Sequence, residues 1–185
     1  GFACGRDRQG AADLVKKVAG DAGIEVTQVS PLTFDGEPVS STRIRKSLDE
    51  GSIPLANSLL ARKFFVSGRV VKGLGRGRTI QVPTANLSLD WRKLPRQGVY
   101  ATRAFWRGNE RKSVTNVGVS PTFHADTDHP AVVVETHLLD HQGDVYGHEM
   151  RVEFEKFLRP EKKFSGAKEL VAQIHLDIAA AREVL

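Results

Sequence analysis

The chain has 185 residues, 40% of them apolar and 7% aromatic, with 27 Lys and Arg against 22 Asp and Glu. This apolar content suffices for a core and excludes disorder as the main state, while the longest apolar runs, such as Ala131 to Val134, fall far short of the roughly 20 residues that cross a bilayer. The lone cysteine, Cys4, excludes an intrachain disulfide framework, argues against a cysteine metal site and points to the cytoplasm. The single methionine is Met150 and the start at Gly1 lacks the apolar core of a signal peptide, so the chain reads as a fragment or processed form without a secretion signal.

In chain order, residues 11–19 carry apolar side chains at helical spacing and end at Gly20, which predicts a helix. Residues 24–34 alternate weakly and predict a strand leading into an Asp35-Gly36 turn. Ser40, Ser41 and Thr42 offer N-caps to a helix stopped by Gly51, and a second short helix is expected from Pro54 to Leu60. Strands are then expected over 64–72, 98–106, 112–119, 131–139 and 149–158. Their connections are too short for crossover helices, which favours antiparallel pairing in a small closed barrel. In the last segment, Leu170, Val171, Ile174, Ile178 and Ala181 share one helical stripe, expected to pack on the barrel. The division falls near residue 61: a small, mostly helical part over 1–61, then the barrel over 62–185.

The net charge of +5 is unevenly spread. No Asp or Glu occurs from Gly51 to Leu89, a stretch that holds Arg62, Lys63, Arg69, Lys72, Arg76 and Arg78, so an anionic partner is expected there, either nucleic acid or nucleotide phosphates. Within it, Gly73, Gly75, Arg76, Gly77 and Arg78 form a glycine-rich basic loop. Glycines let backbone N–H groups approach phosphate oxygens, and arginines add charge-assisted bonds. The loop is neither a dinucleotide fingerprint nor a Walker loop, and a hairpin connection with solvated arginines explains it equally well. In Pro83-Thr84-Ala85-Asn86, the period of two places a hydroxyl and a carboxamide oxygen on one side of an extended segment. That pair suits one hard cation such as Mg²⁺, although a proline turn with a local Asn hydrogen bond accounts for it too.

Glu135 stands alone among apolar residues in the strand 131–139. If Val133 points into the barrel, so does Glu135, and a desolvated carboxylate there is a candidate general base. If Val132 and Val134 point inward, Glu135 sits on a solvated face. His137 and His141 lie in or just after a strand, and His124 and His129 in a polar loop, so no zinc site is persuasive.

Taken together, GRVVKGLGRGR, PTANL, GVYA, NVGVSPTF, VVVETHLLD with VYG, and LRPEKKF before the last helix resemble the riboflavin kinase module of bacterial bifunctional riboflavin kinase/FAD synthetases over nearly the whole chain. The resemblance implies a mainly β fold: a six-stranded antiparallel Greek-key barrel with a C-terminal helix. It implies phosphoryl transfer from ATP to the ribityl 5′-hydroxyl of riboflavin, giving FMN and ADP. By position, Thr84 and Asn86 correspond to Mg²⁺-ATP ligands and Glu135 to the base. Gly73 to Arg78, with Asn116 and Gly118 of the NVGVSPTF loop, would close over the nucleotide. Val82, Arg159 and Leu170 correspond to flavin-side contacts. Two positions depart from the family pattern: Gln81, where glycine is common, and Leu74 in the phosphate loop.

The segments Gly5 to Gly10 and Val39 to Arg45 resemble the end of the adenylyltransferase domain that precedes the kinase module, so residues 1–61 read as its remnant. That domain needs upstream paired histidines, whereas the first histidine here is His124, and no FAD synthesis is expected of this chain alone. The rival class, a basic barrel binding single-stranded nucleic acid, needs exposed aromatics for stacking, and the few present lie in strands where core packing explains at least half; no nucleic acid or membrane partner is expected. A non-catalytic flavin or nucleotide carrier is the third possibility.

Overall fold

The computed structural model describes residues 12–73, 82–89, 93–119 and 132–185. The chain divides into two compact units, Gly1–Val39 and Ser40–Leu185.

In the first unit, helix α1 (Ala12–Asp21) covers the predicted span. The strand expected over 24–34 is almost absent: only β1 (Thr33–Phe34) pairs with β2 (Glu37–Pro38) across Asp35 and Gly36. Both turn residues have positive φ, 51° and 75°, the geometry of a tight hairpin turn. Weak alternation did not suffice for more strand, because Ile24, Val29 and Leu32 remain 61–85% exposed and bury nothing against a neighbour.

The second unit begins with α2 (Ser41–Asp49), whose N-cap Ser40 accepts a bond from the Arg43 N–H at 3.2 Å, and α3 (Ile53–Leu60) with proline in its first turn. Gly51 between them has φ 76°, and a Cβ there would press on the Phe157 ring at 3.3 Å. The compact unit begins at Ser40, and the expected division near 61 falls within it, where helices give way to strands. Leu48, Ile53 and Ala56 belong to the same buried cluster as the strands, and the Asn57 amide donates to the Phe154 carbonyl while its oxygen accepts from the Phe64 N–H.

Six strands close an antiparallel barrel: β3 (Phe65–Val71), β4 (Ala85–Ser88), β5 (Gly98–Trp106), β6 (Asn109–Val119), β7 (Val132–Leu138) and β8 (Glu149–Arg159), in the order β3-β4-β7-β6-β5-β8. Pairing β4 with β7 and β8 with both β3 and β5 makes the connection non-sequential, as in a Greek key. The pleat sends Val66, Val70, Leu87, Tyr100, Val117, Val134, Val152 and Phe154 into one core. Part of the interior is polar yet satisfied, with the Thr102 hydroxyl meeting those of Ser113 and Thr115 at 2.7 Å and Thr115 meeting Thr136 at 3.0 Å. Helix α4 (Ala167–Val184) lies outside the barrel, where Ala181 and Ile178 pack on Val99, Ala101, Val114 and Leu139.

Candidate active site

Burial along β7 decides which way its side chains point. Val134 and Thr136 are fully buried and Leu138 nearly so, all facing the barrel interior, whereas the alternating Val133, Glu135 and His137 are only half-buried. Glu135 therefore points out of the barrel, and the inward-facing alternative is corrected. The interior holds packed side chains, among them Val66, Tyr100, Val117, Val134 and Phe154. The outward direction is not bulk solvent, however: Glu135 is half-buried and lines a cavity of about 520 Å³ between the barrel's outer face and α4. Val82, Thr84, Asn116, His137, Arg159, Phe164 and Leu170 share this cavity.

The register explains the convergence. One row of directly paired residues crosses the barrel: Val71, Asn86, Glu135, Asn116, Val99 and Arg159. Paired residues in an antiparallel sheet project to the same face, so residues from β4, β7, β6 and β8 that are far apart in sequence stand side by side. Thr84 lies two residues before Asn86 and is half-buried on the same cavity wall. Gly73 abuts this wall: a Cβ there would overlap the Asn86 carboxamide. Gly118, paired with Val133 near the other end of β7, leaves similar room, which the Glu161 carboxylate and the Asn116 amide occupy. Val82 is buried at the cavity wall. Gly75, Arg76, Gly77 and Arg78 lie outside the described residues.

Several cavity residues went unnoticed in the sequence. Glu161 accepts a bond from the Asn116 amide at 3.3 Å. His137, dismissed as a metal ligand, has its Nδ1 2.8 Å from the Pro83 carbonyl and so ties β7 to the segment carrying Thr84. Asp177, buried on α4, holds Arg159 by two bonds of 2.8 Å. Lys162 pairs with Glu169 at 2.8 Å, and Ser165 donates to Glu169 through both its N–H and its hydroxyl. These bonds, that from Lys162 foremost, pull the Glu169 carboxyl down to about 2. Only a signal linking the last helix to the strands could have revealed Asp177, and helical periodicity carries none.

Thr84 lines the cavity and Asn86 stands beside Glu135 in the paired row; a hydroxyl and a carboxamide oxygen at this spacing fit a hard cation that draws its remaining ligands from phosphate and water. Among the described residues no cluster of three or more His, Cys, Asp or Glu suits a metal. No helix among the described residues is long and apolar enough to cross a membrane.

A family model described as Flavokinase, riboflavin kinase, matches residues 60–185. The chain is 36% identical over 181 residues to a bifunctional riboflavin kinase/FMN adenylyltransferase of Pseudomonas fluorescens, covering 98% of this chain and 57% of that protein. It is 41% identical over 153 residues to the protein of the same description from Bacillus subtilis, covering 82% of this chain and 48% of that one. The chain thus spans about half the length of these relatives. A crystal structure from Streptococcus pneumoniae, described as a macrolide-efflux protein, superposes with a TM-score of 0.83 at 31% identity, covering 98% of this chain and 57% of that one. Barrel, outer-face cavity and family match agree: the chain belongs to the riboflavin kinase family, enzymes that use ATP as phosphoryl donor.

Proposed function

We propose that the cavity between the barrel and α4 is where the γ-phosphate of ATP passes to the ribityl 5′-hydroxyl of riboflavin, giving FMN and ADP. The observation that carries this reading is the single row that sets Asn86, Glu135 and Asn116 side by side, with Arg159 in the same row beyond Val99. Phosphoryl transfer needs alignment and charge neutralisation more than covalent help from the protein. Glu135 accepts the hydroxyl proton as the ribityl oxygen bonds to the γ-phosphorus, and the bond from that phosphorus to the β–γ bridging oxygen breaks to release ADP. Thr84 and Asn86 would hold Mg²⁺, which when bound offsets negative charge on the phosphate oxygens. Gly73, Asn116 and Gly118, with Gly75, Arg76, Gly77 and Arg78, form the nucleotide side. Val82, Leu170 and Arg159 form the flavin side, where the apolar walls suit an isoalloxazine ring.

Residues 1–61 are, in this reading, the remnant of an adenylyltransferase domain, and the chain works in the cytoplasm on small-molecule substrates without nucleic acid or membrane partners. Incubation with riboflavin and MgATP, followed by chromatography, is expected to yield FMN and ADP in equal amounts and no FAD. A chain that binds riboflavin but leaves it unphosphorylated would be a carrier. One that binds a mixed oligonucleotide and no flavin would belong to the nucleic-acid class.

A further inference from the structure

We propose that Asp177 is the positioning residue that aims Arg159 at the flavin, so that α4, and not the barrel alone, sets riboflavin affinity; this rests on the flavin-side reading of Arg159 above. Asp177 is 5% exposed on a helix face otherwise made of Leu170, Ile174, Ile178 and Ala181. A carboxylate buried at such a place is costly unless fully paired. Its Oδ1 accepts from Arg159 Nε at 2.8 Å and from Gln173 Nε2 at 3.0 Å, and its Oδ2 accepts from Arg159 Nη2 at 2.8 Å.

A guanidinium is planar, so holding its Nε–Nη2 edge fixes the direction of the opposite fork. Nη1 donates once to the Pro160 carbonyl at 3.0 Å. Of the five N–H donors a guanidinium carries, two on the fork remain beyond these bonds, and the Phe164 ring covers its face at 5.8 Å. Arg159, Asp177, Phe164 and Leu170 all line the cavity. The ligand chemistry that meets them is a flat heteroaromatic ring with carbonyl acceptors on its edge. Without Asp177 the long side chain would sample many rotamers, and ligand binding would bear the cost of ordering it.

The test uses the full chain, with riboflavin affinity read from quenching of flavin fluorescence and folding from circular dichroism and thermal denaturation. Asp177→Asn is expected to weaken riboflavin about tenfold while the KM for ATP at saturating riboflavin changes less than about twofold. Gln173→Ala, which keeps the ion pair but removes the second bond to Oδ1, should weaken riboflavin roughly two- to threefold. The double variant Arg159→Ala/Asp177→Asn should bind no more weakly than Arg159→Ala alone. A folded Asp177→Asn with unchanged riboflavin affinity, or additive losses in the double variant, overturns the proposal. If Asp177→Asn does not fold, Gln173→Ala decides: unchanged riboflavin affinity in that variant is fatal. Should Arg159→Ala bind riboflavin as the unaltered chain does, the flavin-side reading itself fails and the proposal with it.

Discussion

A carboxylate on the outer face of a barrel strand is ordinarily solvated, and Glu135 escapes that fate only because α4 and the segment after β8 cover its side of the sheet. Half-buried and level with Asn86 and Asn116, it is the base in the proposed phosphoryl transfer. Glu135→Gln keeps the shape and removes the proton acceptor, so turnover should fall about 10²- to 10⁴-fold with riboflavin still bound, measured by steady-state FMN formation and fluorescence titration. Gly73 acts through the space it leaves open. In Gly73→Ala the new methyl group overlaps the Asn86 carboxamide and must displace it. The expected result is a KM for MgATP raised roughly tenfold, with riboflavin affinity held. Equal losses for both substrates would mean that the substitution distorts the barrel as a whole.

At the scale of elements, β5, β6 and β7 are joined inside the barrel by hydroxyls as well as by their ladders. Thr115 stands at the centre, bonded to Thr102 and Thr136, with all three fully buried. Thr115→Val preserves shape but removes the bond to the buried Thr136 hydroxyl, while Thr102 keeps Ser113, and urea denaturation should show a loss of about 1–3 kcal/mol. The start of α4 depends instead on an exposed acid. Glu169, lowered to about 2, is charged and bonded in the folded chain at pH values where a free carboxyl would already be protonated. Its contribution is full above the ordinary carboxyl value of 4.5 and is lost as pH falls through about 2. Protection of the Leu170 amide against hydrogen exchange, which rests on its bond to the Gly166 carbonyl at 3.2 Å, should fall over that interval relative to the intrinsic rate, and Glu169→Gln should abolish that fall.

Over the whole molecule, stability resides in the filled barrel. Phe154 is fully buried, edge-on to Tyr100 with centroids 5.1 Å apart, and near Phe64 at 5.7 Å. Phe154→Ala should cost about 3–5 kcal/mol by chemical denaturation, because the surrounding strands cannot collapse into the space. Packing also joins α2 and α3 to the barrel through Leu48, Ile53 and Asn57, so the compact unit runs from Ser40 although the family match begins at residue 60. The division read near residue 61 marks the change from helices to strands, and helices on one side of such a change can still bury their apolar sides on a sheet.

Five of the six barrel strands and the final helix were legible in the sequence, because alternation and turn residues are local properties of the chain, whereas β4 was read only as an extended segment. The weak alternation before Thr33 shows the limit of that reading, as periodicity without a surface to bury makes no strand. The phase of β7 was not legible: a period of two names two faces, and only the filled interior behind Val134 and Thr136 assigns Glu135 to the outer one. Nor could spacing along the chain place Asn86, Glu135, Asn116 and Arg159 in one row or pair Arg159 with Asp177. Those juxtapositions come from strand register and helix docking, which join residues distant in sequence and exist only once the barrel has closed.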